Sequence, residues 1–220
     1  MPSLLNNFSF LMKNYFFFYT SVILITFFLT SCATQPLPTT GPQEAVMLIR
    51  IGHEKKPRRV VIALREKEAP QTVASFKQLV EHHYYDGLLF YRAFPHSLVQ
   101  TGDPNTRYRE HDNSGTGGPG YTIPAEIKLP HVRGSVATSR LPDKINPLRA
   151  SNGSQFYICI EPMPQLNGQY TVFGQVTKGI EVLDAVSTIP TNSNNFPIEK
   201  VVIVSLTLEP MLDKKSNNPS

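Results

Sequence analysis

The sequence predicts a mainly β domain, a closed barrel with helices at its ends, on three observations. Short β-branched runs recur along the chain. Only two segments carry a helical signal, one opened by a proline and one following a glycine. Nineteen prolines and 13 glycines punctuate the 220 residues, which suits a loop-rich β protein and not a helix bundle.

Val46-Met47-Leu48-Ile49-Arg50-Ile51 and Arg59-Val60-Val61-Ile62-Ala63-Leu64 read as paired strands, and the basic stretch Lys55 to Arg59 as a solvated turn between them. From Pro70, Val73, Phe76, Leu79 and Val80 recur at spacings of three and four, one face of a helix. Glu81-His82-His83 at its end carries no metal reading, because adjacent helical histidines point apart. Tyr85-Asp86-Gly87 is a turn. In the run Leu88 to Phe94, a period of two puts Phe90, Arg92 and Phe94 on one face. An arginine among aromatics is expensive to bury unpaired, so it needs a partner, an edge or a task. Further strands are read at Gly134 to Thr138, Phe156 to Ile160, Thr171 to Phe173 and Val201 to Leu208. Asn167-Gly168 reads as a hairpin-type turn before the third, and a short second helix spans Ile180 to Val186.

The first residues read as an address. Tyr15 to Leu29 is almost wholly apolar, and Lys13 just before it is the only charged side chain among the first 43 residues. The run has the length of an export-signal core and is short for a membrane span, which needs roughly 20 residues. Leu29-Thr30-Ser31-Cys32-Ala33 follows and resembles the bacterial lipobox. That resemblance implies cleavage before Cys32 and lipidation of its sulfur; Ala33 after it favours the outer membrane where there are two membranes. The expected organisation is a signal peptide over 1–31, a lipidated cysteine and Pro/Thr-rich tether over 32–44, a folded domain over 45–210 and a polar tail over 211–220. Cys159, inside an apolar run, then reads as a buried small hydrophobe.

Several chemistries are excluded. The formal charge of +4 comes without a basic run interleaved with aromatics, so no nucleic-acid partner is expected. Gly115-Thr116-Gly117-Gly118-Pro119-Gly120 spells a dinucleotide fingerprint, but no strand precedes it, a proline interrupts it and no helix follows; it reads as a mobile loop. No P-loop, H-E-x-x-H, C-x-x-C or G-x-S-x-G occurs, and no nucleophile–base pair stands out. No cofactor and no metal is expected.

Three ordered blocks carry a resemblance. Phe90-Tyr91-Arg92-Ala93-Phe94-Pro95-His96-Ser97-Leu98-Val99-Gln100-Thr101-Gly102-Asp103 resembles the cyclophilin signature F-H-R-x-x-P-x-F-M-x-Q-G-G-D. Asn152-Gly153-Ser154-Gln155-Phe156-Tyr157-Ile158 resembles N-G-S-Q-F-F-I, and Leu166 to Gly174 resembles L-D-G-x-H-x-V-F-G. The resemblance runs from about Ala45 to Leu208. It implies an eight-stranded antiparallel barrel capped by two α-helices and peptidyl-prolyl cis/trans isomerase activity on proline-containing polypeptides. By resemblance Arg92 and Gln100 are catalytic, and Leu98, Ser139, Gln155, Tyr157, Leu166 and Tyr170 bind substrate. The pocket departs from the family: Ser97 stands where a pocket phenylalanine is usual, Leu98 replaces methionine, Tyr157 adds a hydroxyl, Tyr170 replaces histidine, and Gln165 stands where many members have tryptophan. Losing one aromatic wall predicts reduced activity. The alternative is a barrel that holds proline peptides or a partner with little turnover. Leu141 to Ala150 is longer than in the shortest members and lies beside the expected groove. A monomer is expected, working on exported proteins at the cell envelope and held to the membrane by its lipid.

Overall fold

A computed structural model of the chain describes residues 42–108 and 113–211. The signal-like run, Cys32, most of the tether, residues 109–112 and the tail beyond 211 lie outside the described residues. Eight strands are present among them: β1 (Gln43–Ile51), β2 (Arg58–Leu64), β3 (Arg92–Phe94), β4 (Leu98–Thr101), β5 (Ser135–Thr138), β6 (Phe156–Cys159), β7 (Val172–Lys178) and β8 (Val201–Pro210). Two α-helices, α1 (Pro70–Glu81) and α2 (Ile180–Ser187), match the two expected segments. All strand pairs are antiparallel, in the order β3-β4-β6-β5-β7-β2-β1-β8.

The sheet curls without closing strand to strand. Its edges, β3 and β8, share no ladder. The segment just before β3 laces them instead: Gly87 N donates to Ile203 O (2.8 Å), Phe90 N to Val201 O (2.9 Å) and Ile203 N to Leu88 O (2.9 Å), with one bridge at Leu89 and Val202. The expectation of a closed barrel is therefore met only as a curled eight-stranded sheet. β6 and β7 are not neighbours either, since β5 lies between them. Asn167-Gly168 thus follows a 3-10 turn (Pro164–Leu166) in a crossing connection and is not a hairpin.

Alternation along the strands sorts the sheet's core between its two faces, and a third, small cluster of Leu89, Tyr91 and Phe196 lies beside them. Inside the curl, Val99, Val136, Phe156, Ile158 and Phe173 join residues of β1, β2, β8 and both helices. Phe76 of α1 meets Tyr85, Phe156 and Phe173 at centroid distances of 5.4, 5.8 and 5.1 Å. Each such ring removed from water contributes about 1.5–3 kcal/mol. α1 begins with Pro70 and no side-chain cap of its own. Its free N–H groups are met by Glu126, whose carboxylate accepts from Gln71 N (3.1 Å), Thr72 N (2.9 Å) and Thr72 Oγ1 (2.8 Å). A carboxylate is favoured there by the helix dipole. On the outer side, Ala137, Tyr157, Cys159 and Val172 form a second, smaller buried cluster.

Phe90 does not share a face with Arg92. Phe90 and Ala93 both lie in the inner core while Arg92 is exposed, because β3 starts only at Arg92 and the preceding residues leave the strand to lace onto β8.

Candidate active site

Register places the site. Arg92 on β3 stands opposite Gln100 on β4, Gln100 opposite Tyr157 on β6, and Tyr157 opposite Ala137 on β5. One residue from each of four strands therefore lies in a row across the outer face. Two residues along, Leu98 stands opposite Cys159 and extends the same face.

The polar end of the row is a hydrogen-bonded chain. Arg92 Nη1 donates to Gln100 Oε1 at 3.3 Å. The Gln100 amide nitrogen donates to the Tyr91 hydroxyl and to Ser139 Oγ (3.1 Å), and lies 3.4 Å from Gln155 Oε1. Tyr91 donates to Gln155 Oε1, and Gln155 Nε2 donates to Gly117 O at 2.8 Å. Gln100 and Gln155 are buried, so leaving any of these groups unpaired would be costly. Acceptors on one side of the Gln100 amide and a cation on the other fix its orientation, with its oxygen toward the guanidinium. The Arg92 guanidinium is otherwise exposed, 6.0 Å from the centroid of Tyr91. Burial raises the Tyr91 phenol above its ordinary pKa, so it stays a neutral hydroxyl.

The apolar end is the outer cluster. Half-buried Leu98, Leu129, Met163, Leu166 and Tyr170 surround Tyr157. Tyr170 meets the Tyr157 ring edge-on, centroids 5.7 Å apart at 88°. Ser97, in the turn between β3 and β4, adds no apolar wall, and Gln165 is exposed. The structure thus brings together every expected site residue among those described: Arg92, Gln100, Ser139 and Gln155 in the polar chain, and Leu98, Tyr157, Leu166 and Tyr170 in the apolar cluster.

Three further contributors are not among the expected site residues. Tyr91 is the hub between the two glutamines. His131 is buried behind Tyr157: its ring stacks on the tyrosine (6.0 Å, 10°), and its Nε2 lies 2.9 Å from the Tyr157 hydroxyl. Its Nδ1 lies 3.3 Å from Asn167 Oδ1, which can only accept. Nδ1 therefore carries the proton, and Tyr157 donates to Nε2. Burial lowers the His131 pKa from its ordinary value, against the Asn167 hydrogen bond. Asp103 is the third. Its buried carboxylate accepts from Gly115 N and from Gly117 N (3.3 Å), pinning the glycine-rich loop expected to be mobile so that Gly117 O meets Gln155. The signal for His131 was the extra hydroxyl of Tyr157 within an apolar strand, which demands a buried partner.

The chain matches a family model described as cyclophilin type peptidyl-prolyl cis-trans isomerase/CLD over residues 48–208. Peptidyl-prolyl cis-trans isomerase B of Bacillus subtilis (strain 168) is 41% identical over 124 residues, covering 56% of this chain and 79% of the relative. A probable peptidyl-prolyl cis-trans isomerase of Brucella suis biovar 1 (strain 1330) is 35% identical over 185 residues, covering 80% of this chain and 88% of the relative. Among solved structures, a Cryptosporidium parvum cyclophilin type peptidyl-prolyl cis-trans isomerase superposes with a TM-score of 0.66 at 24% identity, over 77% of this chain and 99% of that one. The same Cryptosporidium protein in the presence of the dipeptide Ala-Pro gives 0.64 at 24% identity, over 76% and 99%. At that identity the structural likeness speaks for the fold alone.

Proposed function

We propose that this chain, which belongs to the cyclophilin-type peptidyl-prolyl cis-trans isomerase family and is an isomerase of that type, turns over X-Pro bonds of exported polypeptides at the cell envelope, with Arg92 as the group that favours the twisted amide. The observation that supports Arg92 most is its pairing with a glutamine whose amide is oriented from three sides.

The barrier to X-Pro rotation is set by amide resonance. The protein accelerates it only by holding the twisted amide better than the planar one. In the twisted state the proline nitrogen regains a lone pair, which a pre-oriented guanidinium N–H can meet. A donor fixed before the reaction costs no reorganisation during it. Gln100 takes one Arg92 N–H, and the guanidinium is otherwise exposed, so its remaining N–H groups are available to substrate. The proline ring packs on Leu98, Tyr157, Leu166 and Tyr170, while Gln155 and Ser139 hold substrate backbone. No proton or covalent bond changes hands, which suits a site without a nucleophile–base pair.

In a protease-free assay on a short Ala-Pro peptide, Arg92→Ala lowers kcat/KM by about 100-fold, the effect typical of losing one preorganised donor; an unchanged rate removes Arg92 from the mechanism. A second reading, a proline-peptide binding module of low turnover, is favoured by Ser97, which leaves one side of the apolar cluster unwalled. Peptide binding that survives Arg92→Ala together with a wild-type rate near background selects it.

The envelope location rests on the apolar run Tyr15 to Leu29 and on Cys32 in its lipobox setting. Two or more acyl chains on Cys32 anchor the domain stably, at about 0.8 kcal/mol per buried CH₂. Labelled palmitate entering the wild type but not Cys32→Ser, with the variant leaving the membrane fraction, is the expected result; labelling of both refutes the anchor.

A further inference from the structure

The loop over 141–150 is the part of the groove's rim that the reaction leaves without a task. Both its stems border the site. Ser139 accepts from Gln100, and Asn152 N donates to Ser139 O at 3.0 Å. The loop is latched. Arg140, its side chain 4% exposed, lies 4.7 Å over the Tyr170 ring, donates from Nε to Gln169 O (2.9 Å) and pairs with Asp143 (2.5 Å). The other Asp143 oxygen takes Arg149 (2.7 Å), and Arg149 also reaches Gly168 O (2.8 Å). Asn146 clasps Ala150 from both sides, at 2.7 and 3.2 Å. Arg149 holds a φ of 56°, a left-handed conformation disfavoured by its Cβ.

A loop fixed by so many polar contacts would be expected to turn its apolar side chains inward. Leu141, Ile145 and Leu148 are instead 55%, 68% and 84% exposed. Tyr121, 43% exposed, stands near the far stem, where Ile123 bridges to Ser151. Single exposed apolar side chains are ordinary, but three large ones within one ten-residue loop whose stems border the site mark a contact surface. A second copy is a poor occupant, because a stable dimer needs about 800 Å² from each partner, far beyond three side chains. A polypeptide whose proline is held at Arg92 is the better one, because both stems of the loop border that site. We propose that Leu141, Ile145 and Leu148 form an apolar exosite for unfolded polypeptide, taking large apolar side chains of the same chain whose proline is engaged at Arg92. The proposal rests on the groove being where X-Pro bonds turn over. It makes denatured protein, and not short peptide, the preferred substrate class, with the Arg140–Asp143–Arg149 latch holding the exosite in place.

Ile145→Ser/Leu148→Ser alters two exposed side chains and leaves the core untouched. The full domain carrying it is compared with wild type on a short Ala-Pro tetrapeptide, which ends at the groove, and on a denatured protein whose refolding waits on one X-Pro bond. The tetrapeptide kcat/KM stays within twofold. The denatured-protein kcat/KM falls about fivefold to tenfold, mostly through KM, as two lost apolar contacts require. Asp143→Asn, which loosens the latch, gives the same split. Equal kcat/KM for variant and wild type on the denatured protein overturns the exosite. So does wild-type binding to neutral phospholipid vesicles that the double variant loses, which assigns the patch to a membrane. The groove reading fails separately, if Arg92→Ala retains tetrapeptide turnover.

Discussion

Tyr157→Phe removes one oxygen, and the structure fixes what that oxygen does. The Tyr157 hydroxyl donates to His131 Nε2 at 2.9 Å, and the histidine is 2% exposed with its other nitrogen committed to Asn167. Without the hydroxyl, Nε2 becomes a buried acceptor with no donor. Such a group costs about 1–3 kcal/mol, while the ring itself and its stacking remain. A chain of this length changes Tm by roughly 2–4 °C for each kcal/mol, so Tyr157→Phe melts several degrees lower, although phenylalanine is the residue that resembles the family pattern at this position. His131→Leu removes the acceptor together with the need for a donor. In the double variant the tyrosine change therefore costs little, and the cycle gives a coupling of about 1 kcal/mol or more. Urea unfolding of the four proteins measures it directly. A Tyr157→Phe protein as stable as wild type, or additive effects in the double variant, refutes the Tyr157–His131 bond and its assigned direction.

Acid should destabilise the fold through the same histidine. His131 titrates below its ordinary value of 6.5 in the fold because burial disfavours its charge. Between the folded and unfolded pKa the unfolded chain binds more protons, so stability rises with pH in that window. This contribution is complete above about 6.5 and is lost as pH falls from there toward the folded pKa; urea midpoints between pH 7 and 5 show it, and His131→Leu flattens that part of the profile. Burial pushes the Cys159 thiol up to about 12, so alkylating reagents at pH 8 label it only after denaturation; fast labelling of the native protein contradicts the outer cluster's packing. Gly102 sits at φ +90, where a Cβ would lie 2.3 Å from Ser154 O. Gly102→Ala therefore loses more than about 2 kcal/mol in urea unfolding, and a neutral result would show that β4 leaves the sheet differently.

How far the sequence was legible depended on whether a feature is local. Pro70 with Val73, Phe76 and Val80 marks α1 because a helix repeats over a few residues, and the structure places that face against Phe156 and Phe173. The longer strand runs are legible for the same reason, whereas the four-residue β4 (Leu98–Thr101) is too short to show a period. The quantities set by pairing are not legible. Phe90 obeys a period of two with Arg92 on paper, yet β3 begins after it and the earlier residues turn to β8. Asn167-Gly168 has hairpin composition, but the strands on either side of it are separated by β5. The motif marks Arg92 and Gln100, whereas the role of Tyr91 depends on Gln155, 64 residues away, whose approach only the fold decides. His131 lies in a loop with no period to reveal it, and its partner is 26 residues on. Only the fold brings the two together.

The central claim is that Arg92 acts on the twisted amide rather than merely holding the peptide. Exchange spectroscopy on an Ala-Pro peptide reads both quantities in one sample, since the shift of the peptide signals reports binding and the cross-peak build-up between cis and trans signals reports turnover. The prediction is that the wild type binds the peptide and speeds exchange, while Arg92→Ala shifts the peptide signals similarly but catalyses exchange about 100-fold less well, toward the uncatalysed tens to hundreds of seconds. Exchange as fast with Arg92→Ala as with wild type, at equal occupancy, would contradict the assignment of the guanidinium to the transition state.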